Sequence, residues 1–341
     1  MRSAPVELAP PQGRHAANRT QARGPQRWRE GTRMSDQAAV ADRGGLVRAL
    51  AVAVRPDQWT KNLLVFAALV FAKRFLDPSS ILLSLAAFAL FCAASSATYL
   101  LNDVCDAESD RRHPTKRYRP VASGALPAGA ALLFAAILGT VAVAGGLALR
   151  VPFGLTVVAY LVLQVGYSLL LKDVVILDVL CISASFVLRA GAGAEVLDVE
   201  FSSWLMICAA LLALFLAVAK RRYELVELDD AVTHRPSLAQ YTPKMLDQMI
   251  AVVTAATLMA YTLYTIDAKT VAKFGTDNLK YTIPFVLYGI FRYLYLVYSR
   301  HEGGDPSRHL LTDKPLLLDV FLFGLASAWI IWHWSGGRAT P

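Results

Sequence analysis

Long apolar runs, broken only by short blocks of charge, constrain this chain more than any other feature. An α-helix crossing about 30 Å of hydrocarbon needs roughly 20 mostly apolar residues, and each backbone polar group must find its partner within the segment. Nine runs meet or approach that requirement, with cores at 62–76, 80–101, 126–149, 152–171, 175–194, 203–219, 246–266, 281–299 and 315–334. With 55% of its 341 residues hydrophobic and the charges gathered between the runs, the chain is not a water-soluble domain. The predicted fold class is an all-α polytopic membrane protein. The first run is ambiguous: the uncharged stretch 62–72 is short, so it forms either a crossing or a buried or re-entrant helix extended by the amphipathic stretch 46–59.

Nine crossings would put the termini on opposite sides, and the basic residues say which side is which. Arg111, Arg112, Lys116, Arg117 and Arg119 follow the second run; Lys220, Arg221, Arg222, Arg235 and Lys244 follow the sixth. Both groups fall on the N-terminal side, and the stretch 195–202 on the other side has no Lys or Arg. The positive-inside rule then places the N-terminus and the basic loops in the cytoplasm of a multi-pass inner (plasma) membrane protein. Residues 1–45 lack apolar periodicity and a signal-peptide core, so they read as an Arg-rich disordered cytoplasmic tail. Residues 46–335 are expected to form the transmembrane domain, and 336–341 a short C-terminal tail. The ten arginines from Arg2 to Arg55 either touch anionic headgroups or are simply solvated. Four widely spaced cysteines and six scattered histidines give no disulfide framework or zinc-ligand spacing.

Charge begins where the second run ends, at Asn102, Asp103, Asp106, Glu108 and Asp110. If the helix continues past the membrane surface, Asp103, Asp106 and Asp110 fall at i, i+3 and i+7 on one face. Carboxylates crowded in this way repel one another unless a cation neutralises them. Hard oxygen ligands of this kind suit Mg²⁺, which commonly shares its shell with substrate phosphates. The competing reading is a solvated helix end whose acids pair with Arg111 and Arg112. The next stretch carries Lys116, Arg117 and Arg119. It serves either as a topological anchor or, beside the acids, as a set of donors to phosphoryl oxygens.

These residues resemble the UbiA superfamily of intramembrane prenyltransferases over about residues 50–335. The Asn-Asp-x-x-Asp-x-x-x-Asp pattern at 102–110 and the Lys-Arg-x-Arg-Pro run at 116–120 carry the resemblance. It implies a nine-transmembrane-helix UbiA-type bundle with a cytoplasmic-facing active site and a lipid-facing cavity. Family members typically carry a second Asp-rich motif after the sixth helix. Here that position reads Lys220, Arg221, Arg222 and Glu224, which favours bare phosphate over a second metal, or else caps and anchors a helix. The pattern is similar to the branch of decaprenyl-phosphate phosphoribosyltransferases. Arg55-Pro56-x-Gln58-Trp59-x-Lys61-Asn62, the run from His113 to Pro120, Tyr167-Ser168-x-x-Leu171-Lys172 and Lys220-Arg221-x-x-Glu224 all point to it.

The resemblance implies 5-phosphoribosyl diphosphate (PRPP) as donor and a polyprenyl (decaprenyl) phosphate as acceptor, with Mg²⁺ as cofactor. Asp103, Asp106 and Asp110 would be the catalytic metal ligands. Asn102, Lys61, Asn62, Lys116, Arg117, Arg119, Tyr167, Lys172, Arg189, Lys220, Arg221 and Glu224 would bind substrate, with Lys220 and Arg221 on the ribose 5-phosphate. Tyr167 and Lys172 read equally well as an interfacial aromatic and a snorkelling lysine. Arg189, inside the fifth run, faces either a polar cavity or a local partner. The expected surroundings are membrane lipids, with self-association open and no nucleic acid partner. Two other functions compete. An aromatic prenyltransferase would carry a second Asp-rich motif near 220, and a lipid transporter would show repeated halves.

Overall fold

The computed structural model describes residues 45–113, 115–200, 202–227, 236–299 and 312–335, and every regular element among them is helical. The two tails expected at 1–45 and 336–341 lie outside these residues, apart from Gly45. In chain order the α-helices are α1 (Gly45–Ala53), α2 (Ala67–Phe71), α3 (Pro78–Cys105), α4 (Ala107–Arg112), α5 (Ala128–Leu149) and α6 (Val151–Leu169). They continue with α7 (Leu177–Leu197), α8 (Ser203–Glu227), α9 (Pro243–Ile266), α10 (Ala268–Phe274), α11 (Ile283–Ser299) and α12 (Lys314–Ser335).

Seven of these, α3, α5 to α9 and α12, are long and apolar enough to cross a membrane. Nine crossings were expected. The eighth run forms α11, 17 residues long where the description stops at 299. The first run is not an α-helical span at all. Pro56–Phe66 forms a 3₁₀ helix of 11 residues and passes into the five-residue α2. A 3₁₀ run of that length is uncommon and marks a segment shaped by its neighbours. Asn62 and Val65 on it are fully buried, against α3 and α7.

Gly193 of α7 permits that approach. A Cβ there would lie 2.0 Å from the Val65 carbonyl oxygen. The hairpin between α5 and α6 is closed the same way. A Cβ on Gly154 would lie 2.6 Å from the Leu147 nitrogen, and one on Gly146 would lie 3.1 Å from the Gly154 Cα. Phe91, Phe153 and Tyr160 fill the space between α3 and α6, with Phe91 and Tyr160 ring centroids 5.3 Å apart. A second core joins α8, α9 and α11 through Phe215, Leu246, Ile250 and Tyr293.

Two local departures from expectation shape the site. The sixth run continues as helix to Glu227, so Lys220 to Glu224 stand on the last turns of α8, not in a loop. The helix carrying the acidic motif also breaks at Asp106, whose φ of −93° and ψ of 0° end α3 before α4 begins.

Candidate active site

At 28 residues, α3 is about 42 Å long, more than the hydrocarbon layer needs, so its C-terminal turns can carry charge beyond it. Asp103 and Asp110 are buried, at 1% and 3% exposure. Because the helix breaks between them, the three acids do not share one ligand point. Asp103 and Asp110 meet at Arg119, whose Nη1 donates to Asp110 Oδ2 at 2.6 Å and to Asp103 Oδ1 at 3.4 Å. Asp106 turns elsewhere: its Oδ1 accepts from Lys172 Nζ, and its Oδ2 from Asn102 Nδ2 at 2.9 Å.

Arg55, absent from the expected site, is the second cation on Asp103: its Nη2 donates to Oδ1. It holds a left-handed backbone, φ 52° and ψ 65°, immediately before Pro56, and its guanidinium lies 5.2 Å from the Tyr99 ring centroid. A non-glycine residue in that region is strained, and such strain collects at functional sites. The signal in the sequence was a basic residue next to proline at the entry to an apolar run.

Asp103 Oδ2 is buried and accepts no hydrogen bond. An orphaned carboxylate oxygen is costly unless a cation satisfies it, so the donor set fits a divalent ion. Among the described residues no three His, Cys, Asp or Glu side chains form a metal cage. That is compatible with Mg²⁺, which usually takes one or two carboxylates and completes its shell with water and phosphate.

The α8 end forms the other half. Lys220, 40% exposed along its side chain, has Nζ 3.9 Å from Glu224 Oε1. Arg221, expected beside it as a phosphate ligand, is instead buried between two carboxylates. Its Nη1 donates to Glu224 Oε2 at 2.6 Å and its Nε to Asp178 Oδ2 at 2.8 Å. Tyr241 closes this network, donating to Asp178 Oδ1 at 2.7 Å while its oxygen accepts from the Ile176 amide at 2.7 Å. Burial and then the hydrogen bond to Asp178 push the Tyr241 phenol up to about 12, so it remains a donor at neutral pH. Asp178 and Tyr241 were not among the expected site residues. An acid at the start of an apolar helix was the available signal, since a carboxylate there needs a partner.

Lys116 links the halves. Burial, then Arg119, lowers its pKa below the ordinary lysine value, while Asp110, Glu224 and Asp106 pull it back up. Tyr167 is close enough to Arg221 to interact with its charge. Arg117 is exposed and donates to Tyr118 Oη at 2.6 Å. Arg111 and Arg112 do not pair with Asp103, Asp106 or Asp110: one donates to the Ala122 carbonyl at 3.2 Å and the other to Glu108 at 3.0 Å. Lys61 is half-buried on the 3₁₀ segment.

Asn62 and Arg189 form a separate, interior network. Arg189 Nε donates to Asn62 Oδ1 at 2.8 Å, Nη1 to Ser185 Oγ at 3.0 Å and Nη2 to Tyr160 Oη at 2.9 Å. Asn62 Nδ2 in turn donates to Ser95 Oγ at 3.0 Å. The two expected site residues thus tie the 3₁₀ segment to α3, α6 and α7.

A helical membrane bundle with paired acidic and basic groups at one polar end has the make-up of an intramembrane transferase of polyphosphate substrates. More specifically, the UbiA prenyltransferase family matches residues 62–313, and the chain belongs to that family. A decaprenyl-phosphate phosphoribosyltransferase of Corynebacterium glutamicum is 35% identical over 297 residues, covering 84% of each chain. One of Mycobacterium tuberculosis is 33% identical over 306 residues, 87% of this chain and 97% of its own. The fold is shared with a UbiA homolog from Archaeoglobus fulgidus bound to GPP and Mg²⁺, at a TM-score of 0.62 and 19% identity over 83% of this chain and 96% of that one.

Proposed function

We propose that the protein transfers 5-phosphoribosyl from PRPP to a polyprenyl phosphate of the decaprenyl class, releasing diphosphate at the cytoplasmic face of the plasma membrane. One observation carries the choice of donor: the α8 end presents Lys220, Arg221 and Glu224 where a prenyl diphosphate enzyme would carry its second acidic motif. The names of the relatives at 33% and 35% identity agree with it. A nine-crossing topology fits if Pro56–Phe71 and α11 both cross. At roughly 2 Å per 3₁₀ residue and 1.5 Å per α residue, the first of these spans about 30 Å.

Asp103 would hold Mg²⁺ through its unpartnered Oδ2, with Asp106 as the second carboxylate once Lys172 turns to a phosphoryl oxygen, and Asp110 supporting through Arg119. When bound, Mg²⁺ neutralises charge building on the departing diphosphate. Arg55, Arg119, Lys116 and Lys172 are placed to bind phosphoryl oxygens, with the acids as their alternative partners. Lys220 is assigned to the ribose 5-phosphate, and Arg221 to holding Asp178 and Glu224 behind it. The anomeric carbon loses diphosphate and bonds to a phosphate oxygen of the lipid, which is already ionised at neutral pH. The lipid phosphate therefore needs no general base. Both reactants are anions, so positioning by cations supplies most of the catalysis. A product of this kind is a lipid-linked pentose phosphate, suited to supply a lipid-linked arabinose donor for cell-wall arabinan.

The test offers purified protein two substrate pairs with Mg²⁺: labelled PRPP with a polyprenyl phosphate, and a prenyl diphosphate with hydroxybenzoate. Lipid-soluble label from the first pair is expected. Turnover of the second pair alone would overturn the assignment in favour of an aromatic prenyltransferase. Lys220→Ala should raise the KM for PRPP, and an unchanged KM would reject that residue's role.

A further inference from the structure

Lys172 reaches Asp106 from the connection between α6 and α7, a single 3₁₀ turn, Leu171–Asp173, followed by Val174, Val175 and Ile176. That connection ends in an unfavourable backbone. Ile176 has φ 70° and ψ −47°, a conformation that a β-branched side chain adopts only under constraint. The constraint is visible: the Ile176 amide donates to the hydroxyl of Tyr241, 65 residues later, at 2.7 Å. That hydroxyl is fixed in turn by Asp178, which Arg221 holds from its other oxygen. Around the turn, Leu171–Asp173 packs on the 3₁₀ helix Pro236–Gln240 that leads into Tyr241.

We propose that Tyr241 is a positioning residue: through the Ile176 amide it holds the strained turn that presents Lys172 to Asp106, coupling the α8 half of the site to the acidic half. The inference rests on the reading above only in taking Lys172 and Asp106 as part of the diphosphate site. Asp178, Arg221 and Glu224 then form the anchor from which Tyr241 acts, which accounts for an ion-paired network with Asp178 and Arg221 fully buried beside the basic end of α8.

The experiment measures the dissociation constant of Mg²⁺ with inorganic diphosphate by calorimetry on full-length protein in lipid nanodiscs. Tyr241→Phe removes one oxygen and keeps the ring, and should weaken binding about two- to tenfold. Lys172→Met should weaken it at least as much, and adding Tyr241→Phe to Lys172→Met should cost nothing further. Ile176→Gly should restore the affinity of Tyr241→Phe, because glycine adopts a positive φ without strain. A packing defect would instead give multiplying losses and no rescue by glycine, which would overturn the proposal. If Tyr241→Phe leaves binding intact while Lys172→Met weakens it, the relay is wrong and the diphosphate site stands. If Lys172→Met has no effect, both fail. Should Tyr241→Phe not fold, Ile176→Gly with and without Tyr241→Phe replaces it: equal affinities support the relay, and a further loss rejects it.

Discussion

Asp103 is the residue on which most of the charged contacts of the candidate site converge. It is buried, shares one oxygen between Arg55 and Arg119, and leaves the other without a hydrogen-bond partner. Asp103→Asn keeps the shape and removes the charge. It should lower kcat by about 10²–10³-fold at saturating Mg²⁺, and the apparent Mg²⁺ affinity should fall with it in a metal titration. Lys116 gives the pH dependence. Burial disfavours its charged form, so it loses its proton below the ordinary lysine value of about 10.5. Binding of an anionic donor should therefore weaken as pH rises toward that value, earlier than an unperturbed lysine would allow. Arginine stays charged across the range, so Lys116→Arg should flatten the alkaline limb of a donor KM profile.

Among the elements, the 3₁₀ helix Pro56–Phe66 depends most on its surroundings. It carries Lys61 and Asn62, follows Arg55, and seats its Val65 carbonyl where a side chain on Gly193 would have to be. Gly193→Ala should cost about 1–3 kcal/mol by overpacking, read as a lower unfolding midpoint in mild denaturing micelles. Donor binding should weaken in parallel, because the displaced segment takes Arg55 with it. Apolar run length made α3, α5 to α9 and α12 readable from residue types alone. Run length left 62–76 open between a crossing and a buried helix, because the 3₁₀ form it takes depends on Gly193 and the Arg189–Asn62 bond, 127 residues apart in the chain.

Taken as a whole, the molecule is held together at its polar end by charge. The pair between Arg221 and Asp178 joins α8 to α7 with both side chains almost wholly excluded from solvent. Asp178→Ala leaves a buried guanidinium partly uncompensated and should destabilise the fold by about 3–5 kcal/mol, measured by reversible unfolding. Sidedness can be checked with cysteine: Cys105, next to Asp106, is the exposed one of the four, with Cys92 and Cys181 buried and Cys208 intermediate. A membrane-impermeant maleimide should label Cys105 in inside-out vesicles and not in right-side-out ones.

Apolar run lengths were enough for an intramembrane helical bundle and the Asp103–Asp106–Asp110 spacing for a metal-binding expectation, while the kind of chemistry came from the resemblance to the UbiA superfamily and the departure from it at Lys220–Arg222. The first two follow from local composition, since a hydrocarbon layer and a metal-bridged polyphosphate each select residue types directly. Partnership was a different matter. That Asp106 pairs with Lys172 and not with the point shared by Asp103 and Asp110, that Arg55 pairs with Asp103, and that Arg221 is buried against Asp178 all depend on a helix break at Asp106 and on contacts 43 to 66 residues apart. Spacing along one helix says which side chains share a face, and which charge each one meets is fixed by how separate helices pack.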